Sequence, residues 1–199
     1  MRMVTGIANV ELEKRIRARL DSLTKPPGSL GRLEDLVLQL GLIQGTETPS
    51  VDSKAMMLFC SDHGVVEESV SPYPSEVTGQ MVANFCAGGA AITVLCREYG
   101  IEPVIIDMGV GRPTRNFARE PAMTRVEAER CIGVGRARAE SAQILGAGEM
   151  GIGNSTAAAA LLCAFTGVAP EEAAGRGTGL DDAGLARKIE ALRRAIALH

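Results

Sequence analysis

Two short, unbroken apolar runs constrain this chain more than any other feature. Ala55-Met56-Met57-Leu58-Phe59-Cys60 passes straight into Ser61-Asp62-His63-Gly64, and Pro103-Val104-Ile105-Ile106-Asp107 passes straight into Met108-Gly109-Val110-Gly111. Runs without polar alternation suit strands covered on both faces, and such strands belong chiefly to parallel sheets with helices on either side. A third short strand is expected at Ile144 to Gly148. Between the strands, Glu76 to Tyr99 reads as helix with a break at Gly88-Gly89, and Glu127 to Gln143 as helix weakened by Gly133 and Gly135. Ala-rich Thr156 to Thr166 is a further helix, and Asp181-Asp182 can cap a last one reaching Leu198. Strand, turn and helix recur in order, which predicts a three-layer α/β fold: a Rossmann-like parallel sheet with helices on both faces.

Ahead of the first strand the pattern differs. Val10 to Leu20 is a charged helix, and Thr24 to Ser29 a rigid turn in which Pro26 and Pro27 stop helix continuation. Ser29 is a candidate cap for a second helix, Arg32 to Gln44, which sets Leu33, Leu36, Val37 and Leu40 on one face. After the polar connection Gly45 to Ser53 the strands begin. The expected organisation is a helical segment over residues 1–50 and a Rossmann-like domain over 51–199.

Composition narrows the class. With 46% hydrophobic and 23% charged residues among 199, the chain has a globular balance. A net charge of -3 gives no field that would draw nucleic acid or an anionic membrane. No unbroken apolar run of about 18 residues is present, so no membrane span is expected. The N-terminus turns charged where a secretion signal would be apolar, and the five cysteines are scattered with no CxxC pair. They read as reduced, mostly buried small hydrophobes of a cytoplasmic protein. With only two histidines, a metal site is not expected either.

The strongest chemical signal is Gly148-Glu149-Met150-Gly151-Ile152-Gly153-Asn154-Ser155-Thr156. Its glycines permit a tight turn and a close approach of backbone to ligand. Its hydroxyls stand where free N–H groups and the helix dipole favour an anion, a phosphate above all. The same residues would also serve as a plain helix-capping turn. Glu149 beside a phosphate is unfavourable unless it accepts a proton or binds a hydroxyl or ring N–H. The alternative for it is a cap or a surface ion pair. Gly175-Arg176-Gly177-Thr178-Gly179 forms a second glycine turn, and Lys188 beyond it is either a cationic wall for the phosphate or a solvated helix lysine. Asp62-His63-Gly64 ends a strand at the carboxyl edge where ligands collect, or is simply a capped turn. Tyr73 between Pro72 and Pro74 suits stacking on a flat ring, or anchoring of its loop. The methionines are core fillers, with Met150 in the glycine loop as the exception.

Longer stretches carry a resemblance. LTKPPGSLGRLEDL (Leu23 to Leu36), DHGVVEESVSPYPSEVTGQMV (Asp62 to Val82), GGAAITVL (Gly88 to Leu95), RNFAREPAMTRVEAER (Arg115 to Arg130), GEMGIGNSTAAAALL and GRGTGLDDAGLARKI follow one another as in the nicotinate-nucleotide:dimethylbenzimidazole phosphoribosyltransferases, which make the lower nucleotide of cobalamin. The resemblance implies a homodimer. Its substrates would be nicotinate mononucleotide and 5,6-dimethylbenzimidazole, its products α-ribazole 5′-phosphate and nicotinate, with no metal or other cofactor. It places Tyr73 and Gln80 in the benzimidazole pocket with Met150 nearby. Gly151, Gly153, Asn154, Ser155 and Thr156 would hold the phosphate, helped by Gly177 and Lys188, and Glu149 would lie near the reacting groups as candidate catalytic base. Chains of that family continue past the point matching His199. The continuation is expected to hold further strands and the glutamate usually assigned as base, in a Gly-Glu-Gly-Thr-Gly-like segment. The loop between Val110 and Arg115 and the stretch before Gly148 are shorter than usual, and Ser155 stands where threonine is common. A homologue that binds azoles or nucleotides without turnover is the competing expectation.

Overall fold

The computed structural model describes residues 6–139 and 142–199. The chain divides into two compact units, one ending at Ser53 and one starting at Lys54.

The first unit is a helical hairpin, α1 (Val10–Ser22) and α2 (Arg32–Gln44). Asn9 caps α1, its side chain accepting the Leu12 N–H at 3.0 Å. Buried Leu12 and Ile16 form the packed face of α1. Gly41 lets the helices close up, because a Cβ there would stand 2.6 Å from Ile16 Cδ1. Ser29 does not cap α2. The cap position is Gly31, at φ 51°, and no side chain closes that end. Glu34 reaches back instead, accepting the Leu30 N–H at 3.1 Å and pairing with Lys25 Nζ at 2.9 Å. The nearby ammonium lowers the Glu34 pKa.

The second unit is built on three parallel strands: β1 (Lys54–Ser61), β2 (Pro103–Gly109) and β3 (Ile144–Met150), in the order β2-β1-β3. Around the sheet lie α3 (Glu76–Cys86), α4 (Ala91–Glu98), α5 (Arg125–Ala139), α6 (Asn154–Thr166), the short α7 (Pro170–Ala173) and α8 (Asp182–Leu198). This is the Rossmann-like α/β arrangement. β1 is central, and Met57, Leu58 and Cys60 are buried along it. Two glycines of β3 make room for β1 side chains. A Cβ at Gly146 would meet Met56 Cε at 2.7 Å, and one at Gly148 would meet Leu58 Cδ2 at 2.8 Å. Both glycines stand opposite the residues whose side chains they admit. Leu58, Cys60, Phe85 and Ala90 form a core cluster under the sheet, with Met150 packed at its margin.

Several boundaries differ from the sequence reading. Residues 64–68, given no element by the sequence, form a 3-10 turn. The helix expected over Glu127 to Gln143 runs from Arg125 to Ala139; Glu140 and Ser141 lie outside the described residues. Glu76–Glu98 is long and apolar enough, by composition, to cross a membrane. It folds instead as α3 and α4, of 11 and 8 residues. At 1.5 Å per residue these reach roughly 16 and 12 Å, well short of a ~30 Å hydrocarbon layer. All five cysteines are free; Cys60, Cys96 and Cys163 are buried, Cys131 is half-buried and Cys86 exposed.

Candidate anion and ring site at the carboxyl ends of β1 and β3

From β1 the chain moves to β2 on one side and then crosses to β3 on the other, so the strand order reverses at β1. In open parallel sheets the ligand crevice lies at such a reversal, outside the carboxyl ends of the strands. The segments that meet there are Ser61-Asp62-His63-Gly64 after β1 and Gly151-Ile152-Gly153 after β3.

Their approach is tight. A Cβ on Gly151 would lie 2.1 Å from the Ser61 carbonyl oxygen and 2.9 Å from His63 Nε2. No side chain fits that space, which is why glycine stands there. Gly153, at φ 91°, is the cap position of α6 and packs on His63, Val65 and Val66. Burial pushes the His63 pKa down, and the charges of Glu149 and Asp62 only partly offset it. The ring is therefore neutral near pH 7.

α6 starts at Asn154, two residues earlier than its composition suggests, and Gly153 brings no capping side chain. Asn154 bridges: its Nδ2 donates to Glu149 Oε2 at 2.5 Å and its Oδ1 accepts the Ser155 N–H at 2.6 Å. Glu149 and Met150 belong to the end of β3 rather than to the loop. Glu149 is exposed and Met150 half-buried. Thr156 is fully buried, and among the described residues its Oγ1 has no hydrogen-bond partner.

Lys188 is the decisive group. It comes from α8, is 0% exposed, and donates from Nζ to Ser155 Oγ at 2.9 Å and to the Gly175 carbonyl at 3.0 Å. Among the described residues no carboxylate pairs with it, and desolvation alone lowers its pKa. A buried ammonium with neutral partners only is costly unless an anion completes its surroundings. Gly177, at φ 56°, closes over the pair, where a Cβ would lie 3.1 Å from Ser155 Oγ and 3.7 Å from Lys188 Nζ.

A cavity of about 80 Å³ opens beside these groups, lined by Val70, Ser71, Met150, Gly151, Ile152, Gly153, Asn154, Ser155 and Thr178. The fold thus gathers the glycine loop, Ser155, Gly177 and Lys188. It leaves Gln80 exposed on α3, outside the cavity lining, and Tyr73 49% exposed on the loop before α3. The residue that ties α3 to the site is Thr78, fully buried, whose Oγ1 accepts the Ile152 N–H at 3.1 Å. Sequence reasoning missed Thr78, Ser71 and Thr178. All three stood in segments already singled out, Ser71 and Thr78 within Asp62 to Val82 and Thr178 inside the second glycine turn, but none was given a role.

A parallel α/β protein with a glycine-lined candidate anion site at its strand-order reversal is the class these features define. The sequence pattern of the family described as Phosphoribosyltransferase matches residues 7–199, and the chain belongs to that family. It is 49% identical over 208 residues to the nicotinate-nucleotide:dimethylbenzimidazole phosphoribosyltransferase of Cupriavidus necator, covering 94% of this chain and 60% of that one. The enzyme of the same name from Ralstonia nicotianae is 47% identical over 99% of this chain and 62% of its own length. The crystal structure of CobT from Thermus thermophilus superposes with a TM-score of 0.86 at 44% identity, over 95% of this chain and 63% of that one. The chain thus spans about 60% of the length of the relatives it matches.

Proposed function

We propose that this chain carries the nucleotide-phosphate and azole sites of an enzyme that transfers the phosphoribosyl group of nicotinate mononucleotide to 5,6-dimethylbenzimidazole. The products are α-ribazole 5′-phosphate and nicotinate. The names of its relatives supply the reaction, and the buried, carboxylate-free ammonium of Lys188 beside Ser155 is the observation that carries the reading. An anion at the start of α6 would meet the Lys188 charge, the Ser155 hydroxyl and the positive end of the helix dipole. Thr156 Oγ1, buried without a partner, offers a further polar atom at the same helix start.

The transfer needs no metal. The C1′–N bond to the pyridinium breaks, its electron pair neutralising the ring as nicotinate leaves. The unprotonated ring nitrogen of the azole bonds to C1′ from the opposite face, and the proton on the other ring nitrogen passes to a carboxylate. Anchoring the phosphate fixes C1′ for that approach. Met150, on the cavity wall, and Tyr73 and Gln80, on and beyond its neighbouring loop, are assigned to the azole. Glu149 is the candidate base, at the end of β3 and held by Asn154. The protein is proposed to be a cytoplasmic homodimer acting on small molecules alone, without nucleic acid or membrane.

A second reading, binding without turnover, is favoured by one observation. Glu149 is exposed, whereas a base tuned toward neutral pH is commonly desolvated. A single assay separates the readings. The purified protein is incubated with nicotinate mononucleotide and dimethylbenzimidazole, and α-ribazole phosphate and nicotinate are resolved chromatographically. Both products in equal amounts are expected. Their absence from protein that still binds both substrates by calorimetry would overturn the transferase reading in favour of the second.

A further inference from the structure

One contact joins the two halves of the proposed site. Ser71 Oγ accepts the Tyr73 N–H at 3.2 Å and lies 3.3 Å from Thr178 Oγ1. Ser71 thus holds the backbone of the loop that presents Tyr73 while touching the glycine turn that closes over Lys188. That turn is tied down on its other side. Lys188 Nζ holds the Gly175 carbonyl at 3.0 Å, Arg176 Nη1 donates to the Leu180 carbonyl at 2.9 Å, and Gly177 packs on Ser155 and Lys188. The base of the Tyr73 loop is anchored as well, through Val70 in a buried cluster with Val65, Ala118 and Ala191. Between these anchors, the hydroxyl pair is a side-chain hydrogen bond from the Tyr73 loop to the turn, and both residues line the cavity.

We propose that Ser71 and Thr178 form a positioning contact that couples the anion site to Tyr73, so that phosphate bound against Lys188 and Ser155 orders the Tyr73 loop for the azole. The proposal rests on the anion reading and adds direction to it. An anion drawn to Ser155 and Lys188 fixes Gly177, Thr178 follows as its chain neighbour, and Ser71 then holds the Tyr73 amide. Ligand that binds one arrangement of the turn better shifts the loop by no more than the contact is worth. For one neutral hydrogen bond that is about twofold to tenfold.

The chain has two tyrosines and no tryptophan, so Tyr99→Phe leaves Tyr73 as the sole tyrosine, which is excited selectively beyond the phenylalanine absorption band. Tyr99 is 68% exposed at the end of α4, remote from the turn in sequence. In that background, inorganic phosphate is expected to reduce acrylamide quenching of Tyr73 about twofold to tenfold. Adding Thr178→Val should weaken the phosphate Kd, by calorimetry, by no more than about tenfold while abolishing the protection; Thr178→Ser should restore it. Ser71→Ala, checked for native circular dichroism, should behave as Thr178→Val does and covers a folding failure of the latter. Protection that persists in both variants overturns the proposal, as does phosphate binding without protection in the parent. A large loss of phosphate affinity in Thr178→Val would make the hydroxyl an anion ligand instead and overturn it too. If the parent shows no phosphate binding, the anion reading itself fails and the coupling falls with it.

Discussion

Lys188 Nζ donates to Ser155 Oγ across 2.9 Å, joining α8 to the first turn of α6 over 33 residues of chain. The contact places a desolvated positive charge against a hydroxyl that can donate onward. Such an arrangement would suit an oxygen-rich anion.

Replacing Lys188 by Met keeps its stem and removes its charge. Charge-assisted hydrogen bonds contribute about 1.5–3 kcal/mol, so binding of nicotinate mononucleotide should weaken about tenfold to a hundredfold. Azole binding should change far less. Calorimetry on both ligands checks it, and equal losses would remove Lys188 from the phosphate site.

Phosphate affinity should also depend on pH in a definite direction. Burial lowers the Lys188 pKa below the ordinary lysine value of about 10.4. The charged form that attracts the anion is therefore lost as pH rises, beginning below the range in which a surface lysine titrates. In the anion-free protein the sign for stability is opposite. The unfolded chain binds the proton more tightly, so the Lys188 contribution to stability rises with pH across the window between the lowered and the ordinary value. Titrations of inorganic phosphate at rising alkaline pH, where the anion is already doubly charged, should show declining affinity, and Lys188→Met should flatten that decline.

Gly151→Ala should be among the most damaging small substitutions in the protein. Its Cβ would lie 2.1 Å from the Ser61 carbonyl oxygen, a backbone atom that cannot swing aside. Forced rearrangements of this kind cost typically about 1–3 kcal/mol or more. A lowered Tm together with lost phosphate binding is expected, since the displaced strand ends are the floor of the site.

Thr78→Val tests whether α3 supports the site through a buried hydroxyl. The substitution is close in shape but strands the Ile152 N–H, a loss of about 1–3 kcal/mol for an unsatisfied buried group. Reduced stability by chemical denaturation should follow, while Gln80→Ala, on an exposed side chain, should leave stability within about ±0.5 kcal/mol.

Glu149→Gln bears on the chemistry alone. The carboxylate contacts Asn154 and does not pair with Lys188. Turnover should vanish while inorganic phosphate still binds, and unchanged kinetics would exclude Glu149 as the base.

Some of this was legible residue by residue. The apolar runs at Ala55 to Cys60 and Pro103 to Asp107 pointed to parallel strands because they are short, apolar without alternation and end directly in turn residues. The third strand is longer than its sequence suggests. Glycines at Gly146 and Gly148 look like turn residues until their partners Met56 and Leu58 are seen filling the space above them. Ser29 reads as a helix cap because cap preference is local, whereas Glu34 takes over the neighbouring N–H through a contact set by the Pro26-Pro27 turn and Lys25.

What the sequence determined by itself was therefore the order of elements, the glycine loop and the family, since each is written in short-range periodicity or in contiguous motifs. Tertiary structure decided which distant groups share the site. Nothing local distinguishes Lys188 from a solvated helix lysine; only the packing of α8 against α6 buries it beside Ser155. Likewise Thr78 and Ser71 stand in a contiguous block that says nothing of their roles, and they matter because chain segments 74 and 107 residues away close onto them. Burial and long-range hydrogen bonding depend on which surfaces meet, and that is settled only when the sheet and its helices are assembled.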